Sequence, residues 1–199
     1  VSIFGGPVCE VAGQERVFEV DEKPQLVLDE GAGEGPAWHP DFGLFFSGGA
    51  GITLLNLSGE TRLFLPKAGS NGLLFDHQGS LLVCQPASRR VSRVDVKTGQ
   101  LHVLTTGYDE KPYNQPNDIT IDSKGRIYFS DPKYGPREGL EILDAGGRPI
   151  EGVYRIDLDG SVTRIITHEV DRPNGVVVSA DDRYLFVADN NNNNVGAAR

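Results

Sequence analysis

Apolar and polar residues alternate along this chain in short runs that are interrupted by turns containing glycine. In one stretch Ile119 and Ile121 alternate with polar neighbours, a turn follows at Gly125, and Ile127 and Phe129 alternate again. Alternation with a period of two predicts a half-buried β-strand, and an X-Gly turn between two such runs predicts a hairpin. No convincing amphipathic helix is present, so the sequence predicts an all-β fold.

The same unit recurs, and each copy opens with an acid or an amide. The openings are Glu34, Asn71, Asn117 and Asn174, which lie 37, 46 and 57 residues apart. A second hairpin follows each of the first three units, with turns at Ser58-Gly59, Thr98-Gly99 and Asp159-Gly160. A repeat of this length with several short strands is typical of propeller blades. We therefore predict a β-propeller of four-stranded antiparallel blades, of which about three and a half are present.

We expect one partial propeller domain over residues 1–199. An entry segment at 1–28 ends in a short strand, Gln25–Leu28, and three blades follow at 34–70, 71–116 and 117–173, then a partial blade at 174–199. A rim loop rich in Gly and Pro is expected at 133–152, and a solvated loop at Asn190–Asn194. The chain has no Met and ends after this polar loop, which we interpret as a fragment or a processed product.

Composition excludes several classes of protein. The formal net charge of −9 argues against a nucleic-acid or anionic-membrane partner, because both require clustered Lys and Arg. No apolar run spans a bilayer and no signal peptide is visible, so we expect a cytoplasmic protein. Cys9 and Cys84 have no metal-type spacing, and Cys84 is predicted to be a buried free thiol. The motifs of nucleophilic-serine and phosphate-binding sites are also lacking.

The opening residues are the strongest candidates for chemistry. In a propeller the equivalent residues of successive blades meet around one axis, so Glu34, Asn117 and Asn174 would present a carboxylate and two amide oxygens to one centre. Such hard oxygen ligands suit Ca²⁺, Mg²⁺ or Mn²⁺. Asn71 would face the same channel as a further oxygen or as a substrate contact. A single Pro-Asn turn is more often structural, because Asn tolerates the left-handed region, but recurrence at one blade position favours ligands.

Together these motifs resemble the gluconolactonase and senescence-marker-protein (regucalcin) family, from about Gly33 onwards. The matching segments are Glu34-Gly35-Pro36-Ala37-Trp38, Asn71-Gly72-Leu73-Leu74-Phe75-Asp76, Pro116-Asn117-Asp118, Ser130-Asp131-Pro132-Lys133-Tyr134-Gly135 and Pro173-Asn174-Gly175. Val83-Cys84 followed by Arg89-Arg90-Val91 resembles the gluconolactonase branch. The resemblance implies a six-bladed propeller with one divalent cation on its axis, acting on a small-molecule lactone.

The resemblance also implies roles for individual residues. Glu34 and Asn174 match family metal ligands, and Asn117 matches a channel residue that contacts metal or substrate. Gln115 stands where some members place a substrate-binding Arg, so the substrate is expected to differ from theirs. The general-base Asp of the family is expected beyond Arg199. The cation is expected to be Ca²⁺, with Mg²⁺, Mn²⁺ or Zn²⁺ as alternatives, and we expect no nucleic-acid or membrane partner.

Two other interpretations remain open. One is a non-enzymatic propeller that binds partners through its rim, since the fold alone does not decide function. The other is an enzyme similar to the paraoxonases or strictosidine synthases, which share the architecture. The combination of Glu34, Asn117 and Asn174 favours the lactonase. We expect the 199-residue chain by itself to be weakly active or inactive.

Overall fold

The computed structural model describes residues 23, 26–28 and 32–190 of the chain. Within these residues three four-stranded sheets and two two-stranded sheets are present, all with antiparallel neighbours. Only one helix is present in this part, the three-residue 3-10 turn Pro86–Ser88, and no helix there is long and apolar enough to cross a membrane.

Each four-stranded sheet is a simple meander in chain order. The first contains β1 (Glu34–His39), β2 (Gly43–Gly48), β3 (Gly51–Asn56) and β4 (Thr61–Pro66). The second contains β5 (Leu73–Phe75), β6 (Leu81–Gln85), β7 (Arg90–Val94) and β8 (Leu101–Thr105), and a small hairpin follows it, formed by β9 (Gly107–Tyr108) and β10 (Lys111–Pro112). The third contains β11 (Ile119–Ile121), β12 (Ile127–Asp131), β13 (Gly152–Ile156) and β14 (Val162–Ile166), and the second two-stranded sheet contains β15 (Pro173–Val178) and β16 (Leu185–Asp189).

A repeated polar turn closes the hairpins. In the turn between β11 and β12, Asp122 Oδ1 accepts hydrogen bonds from the backbone N–H groups of Lys124 at 3.0 Å and Arg126 at 2.9 Å. Gly125 has φ +85°, which a residue with a side chain rarely adopts. Asp76 and Asn56 accept the same pair of backbone bonds in the first hairpin of the second sheet and the second hairpin of the first sheet. A side chain three residues before the glycine therefore fixes each hairpin register.

Strand β6 lies at the centre of the core because both of its faces are buried. Leu81 and Val83 pack in a cluster with residues of the first sheet, including Phe45. Leu82 and Cys84 pack on the opposite side, in a cluster with residues of the third sheet. Alternate residues of one strand thus contact different sheets, which means that the sheets pack face to face like neighbouring blades.

The strands of the three four-stranded sheets and of the β15–β16 pair lie where the alternation predicts them, and the all-β, sheet-repeat prediction is confirmed. Cys84 is confirmed as a buried free thiol, and burial raises the pKa of this thiol well above its ordinary value. Cys9 lies outside the described residues.

The structure differs from the sequence prediction at two places, and some predicted segments lie outside the described residues. The β9–β10 hairpin was not predicted, because its strands are two residues long and its turn contains no glycine: Asp109 and Glu110 adopt φ +50° and +61°. Residues 26–28 form no strand, so the strand expected over Gln25–Leu28 is wrong for those positions, because Leu26 and Val27 are exposed. The rest of the entry segment and residues 191–194 lie outside the described residues. The unit boundaries remain predictions.

Candidate active site on the opening arc

The first two opening residues, Glu34 at the start of β1 and Asn71 just before β5, belong to neighbouring sheets that approach each other closely. Glu34 begins β1 and pairs with Ser47 of β2. The Ser47 hydroxyl donates a hydrogen bond to the backbone oxygen of Asn71 at 2.7 Å. A Cβ atom added to Gly35 would lie 2.3 Å from that same oxygen, so only glycine permits this approach. The opening of the first sheet is therefore packed directly on the opening of the second.

The contacts continue around the remaining openings. The backbone N–H of Gly72 donates to the backbone oxygen of Asn117 at 2.7 Å, and the N–H of Asn117 donates to the oxygen of Ser130 at 2.9 Å. The Ser130 hydroxyl then donates to the backbone oxygen of Asn174 at 2.6 Å. The structure thus joins Glu34, Asn71, Asn117 and Asn174 through one series of short contacts. We call these four residues the opening arc.

The side-chain oxygens of the opening arc have no partner among the described residues. Glu34 is exposed, Asn71 and Asn174 are half-buried, and Asn117 is 5% exposed. Across residues 32–190, no hydrogen bond or ion pair engages the Glu34 carboxylate, the side chains of Asn71 and Asn117, or Oδ1 of Asn174. Polar groups of a folded domain are usually paired when they are buried. The Asn117 amide is not among the fully buried side-chain groups that lack a partner, so it reaches solvent, where a ligand can meet it.

These donors fit the divalent cation that the resemblance implies. One carboxylate and several amide oxygens form a hard, oxygen-only set of the kind that Ca²⁺ or Mg²⁺ accepts. In the part of the chain that the structure describes, no group of three or more His, Cys, Asp or Glu side chains could hold a metal ion. The fit therefore rests on the amide oxygens of the opening arc together with Glu34.

Gln115 lies beside the opening arc and is connected to it through Tyr134. Gln115 Oε1 accepts a hydrogen bond from the backbone N–H of Tyr134 at 2.8 Å. The Tyr134 hydroxyl in turn contacts Nδ2 of Asn174. Tyr134 stands in one of the motifs that match the family, but it was not predicted to be a site residue. Its position three residues after the end of β12, on the same side as the openings, was the signal that could have identified it.

A buried acid holds the segment that precedes Asn117. Asp131 is fully buried, and its Oδ2 accepts a hydrogen bond from the backbone N–H of Asn114 at 2.8 Å. The Asn114 side chain donates to the backbone oxygens of Asp131 at 3.0 Å and Ile150 at 2.9 Å. Burial raises the pKa of Asp131 to about 8, against the opposing effect of the backbone N–H groups. The carboxyl group is therefore mostly protonated at neutral pH and brings little charge to the site.

A second carboxyl group connects the third sheet to the last one. Asp118 Oδ2 accepts a hydrogen bond from the backbone N–H of Val176 at 2.8 Å. Burial is the largest influence on this group and raises the pKa of Asp118. The side chain therefore fixes the position of β15 relative to β11, and with it the positions of Asn117 and Asn174.

The chain is a β-propeller domain. Its four-stranded antiparallel sheets place their first strands next to one another, and solved structures share this fold. Residues 32–199 match the family described as the SMP-30/Gluconolactonase/LRE-like region. The chain belongs to this family, and the resemblance noted in the sequence is confirmed.

Three relatives show how far the similarity extends. A gluconolactonase of Zymomonas mobilis is 32% identical over 152 residues, which cover 76% of this chain and 41% of that protein. The structure of a gluconolactonase from Xanthomonas campestris aligns with a TM-score of 0.68 at 32% identity, over 79% of this chain and 54% of that one. A calcium-binding regucalcin from Agrobacterium tumefaciens shares the fold, with a TM-score of 0.60 at 19% identity over 79% and 50% of the two chains. The chain thus spans about half the length of these relatives.

Proposed function

We propose that this protein is a lactonase that opens a sugar-type lactone with the help of one divalent cation at the opening arc. The observation that carries the proposal is the series of contacts that joins Glu34, Asn117 and Asn174 while leaving their side-chain oxygens unpaired within the described residues. Two gluconolactonases at 32% identity support the same reaction class. Ca²⁺ is the first candidate for the cation, because oxygen ligands from flexible amides suit it.

Each residue then has a defined task. Glu34 supplies the negative charge, and the amide oxygens of Asn117 and Asn174 complete the chain's share of the ligands. A cation held there polarises a lactone carbonyl and lowers the pKa of bound water. Gln115 has its oxygen occupied by the Tyr134 N–H, so its two N–H donors are left for the oxygens of a substrate. Asn71 lines the same face. We assign the general base to no residue among those described.

The proposal is tested at Glu34. Ca²⁺, Mg²⁺, Mn²⁺ and Zn²⁺ are titrated calorimetrically into the chain and into the longest polypeptide in which it occurs naturally. Glu34→Gln keeps the side-chain shape but removes the charge, so we expect cation affinity to fall by about ten-fold or more, since ligand charge sets affinity at such sites. Opening of a neutral aldonolactone should fall in parallel.

Glu60→Gln is the matched control. Glu60 is an exposed carboxylate in the turn between β3 and β4, where it accepts a hydrogen bond from Asn56 Nδ2 at 3.1 Å. Its substitution changes the net charge equally and should leave cation binding unchanged. Equal effects of the two variants would show that only general electrostatics is involved. If neither polypeptide binds any of the four cations, the metal site is wrong, and a non-enzymatic propeller becomes the better interpretation.

A further inference from the structure

Tyr134 contacts two residues of the candidate site, Gln115 and Asn174. It follows β12 after Pro132 and Lys133, and it is half-buried. Its backbone N–H holds Gln115 Oε1 at 2.8 Å. Its ring lies 5.9 Å from the guanidinium carbon of Arg172, measured to the ring centroid. The backbone and the ring are therefore both fixed, which limits the positions available to the hydroxyl group.

Two side-chain amide groups approach the hydroxyl group of Tyr134. Nδ2 of Asn174 is within hydrogen-bond distance of the phenolic oxygen, and Nδ2 of Asn190 lies 3.4 Å from it. An amide nitrogen can only donate, whereas a phenolic oxygen can accept as well as donate. The oxygen therefore acts as the acceptor for both amides. Its own hydrogen is left over, and no residue among those described accepts it.

This arrangement also decides the orientation of Asn174. Because its Nδ2 is directed at Tyr134, its Oδ1 is directed away and has no partner within residues 32–190. An amide that can flip presents its oxygen only part of the time, whereas an amide that is held by a fixed acceptor presents it continuously. Tyr134 thus pre-organises the oxygen that the proposed function assigns to the cation.

We propose that Tyr134 positions Asn174 for cation binding and donates the hydrogen bond of its hydroxyl group to an oxygen atom of the bound lactone. This inference rests on the proposed function. The hydroxyl stands next to a proposed cation ligand, so the oxygen it would meet is the one on which charge develops during ring opening. A donor fixed in advance at that place stabilises the developing charge without reorganisation.

Tyr134→Phe removes the hydroxyl and keeps the ring, and Tyr184→Phe is the matched control. Tyr184 is 57% exposed and also has an arginine over its ring, with Arg183 at 5.6 Å. We expect Tyr134→Phe to lower kcat by roughly hundred- to thousand-fold, the range typical of a lost oxyanion donor, with a smaller change in KM. Cation affinity should weaken by several-fold. Tyr184→Phe should match the unaltered protein in every measurement.

Two further measurements do not depend on turnover. Without any cation, heteronuclear NMR of the side-chain amides should show the resonances of Asn174 and Asn190 displaced in Tyr134→Phe and unchanged in Tyr184→Phe. Titration with sodium gluconate, an open-chain product that is rich in acceptors, should show weaker binding in Tyr134→Phe. Circular dichroism and thermal unfolding confirm that the variants are folded.

The outcomes separate this inference from the proposed function. Unchanged amide resonances in Tyr134→Phe would overturn the positioning role, and unchanged gluconate binding and kcat would overturn the donor role. If neither the unaltered chain nor the longer polypeptide binds a cation or opens a lactone, the proposed function fails. The NMR and gluconate measurements then still decide whether Tyr134 orients Asn174 and donates to a ligand oxygen.

Discussion

At the scale of single residues, the pair formed by Asp131 and Asn114 shows how burial changes the chemistry of a side chain. Asp131 Oδ1 and Asn114 Oδ1 are both buried without a hydrogen-bond donor in the described part of the chain. If Asp131 were ionised, both of these buried oxygens would lack a hydrogen-bond donor, which would lower the stability of the folded state. A proton on Asp131 reduces that cost, in agreement with its pKa of about 8.

This proton predicts a pH dependence of stability. The carboxyl group ionises at a pKa of about 4 in an unfolded chain and of about 8 in the folded one. Between these values the folded state binds more protons, so its contribution to stability is complete below the lower value and is lost as the pH rises through the upper one. We expect the free energy of unfolding in urea to fall with pH by up to about 1.4 kcal/mol per unit, and Asp131→Asn to remove this slope.

Asp159→Asn provides the comparison for that experiment. Asp159 is exposed, and hydrogen bonds from Ser161 lower its pKa, so it stays ionised throughout the same window. This variant should follow the pH profile of the unaltered protein. Parallel profiles for the protein and Asp131→Asn would mean that Asp131 is ionised in the folded state.

At the scale of elements, the first strands of neighbouring sheets approach one another through glycine. Gly72 precedes β5, and a Cβ atom added to it would lie 2.5 Å from the backbone oxygen of Asn117 and 2.8 Å from Cα of Asp118. No positive φ is involved at this position. The requirement for glycine is therefore one of space between two backbones, and the spacing of the opening arc depends on it.

Gly72→Ala should consequently force the two openings apart. We expect a loss of about 1–3 kcal/mol in the free energy of unfolding, as for other overpacked sites, together with weaker cation binding. Urea unfolding and calorimetry measure the two effects. Gly49→Ala is the control, because a Cβ atom at Gly49 would meet nothing within 4 Å. A Gly72→Ala protein with unaltered stability would show that the sheets can separate without cost.

At the scale of the whole molecule, the features that the sequence predicted correctly are those that repeat at a regular spacing. Strand β6 reads as the apolar run Leu81-Leu82-Val83-Cys84 because both of its faces are buried, and the glycine turns stand at fixed offsets from acids and amides. The opening residues were found because they repeat. Asp131 and Tyr134 were missed as site residues because their environment is built from segments distant in sequence, such as Asn114 for Asp131 and Asn190 for Tyr134.

Those long-range contacts also make the last sheet dependent on the third. Ser130 is fully buried, accepts a hydrogen bond from the N–H of Asp118 at 3.1 Å, and donates one to the backbone oxygen of Asn174 at 2.6 Å. Ser92 is equally buried, but its hydroxyl donates to Gln85 at 2.8 Å within the second sheet. One serine thus connects two sheets, and the other only stabilises its own.

Ser130→Ala and Ser92→Ala should therefore differ in where they act, although each removes a buried hydrogen bond worth about 1 kcal/mol. Native-state hydrogen exchange read by mass spectrometry should show faster exchange in β15 and β16 for Ser130→Ala, because local opening follows the loss of contacts between units. For Ser92→Ala the faster exchange should stay within β6 and β7. Equal exchange in β15 and β16 for both variants would mean that the last sheet is held by apolar packing, with Asn174 positioned independently of Ser130.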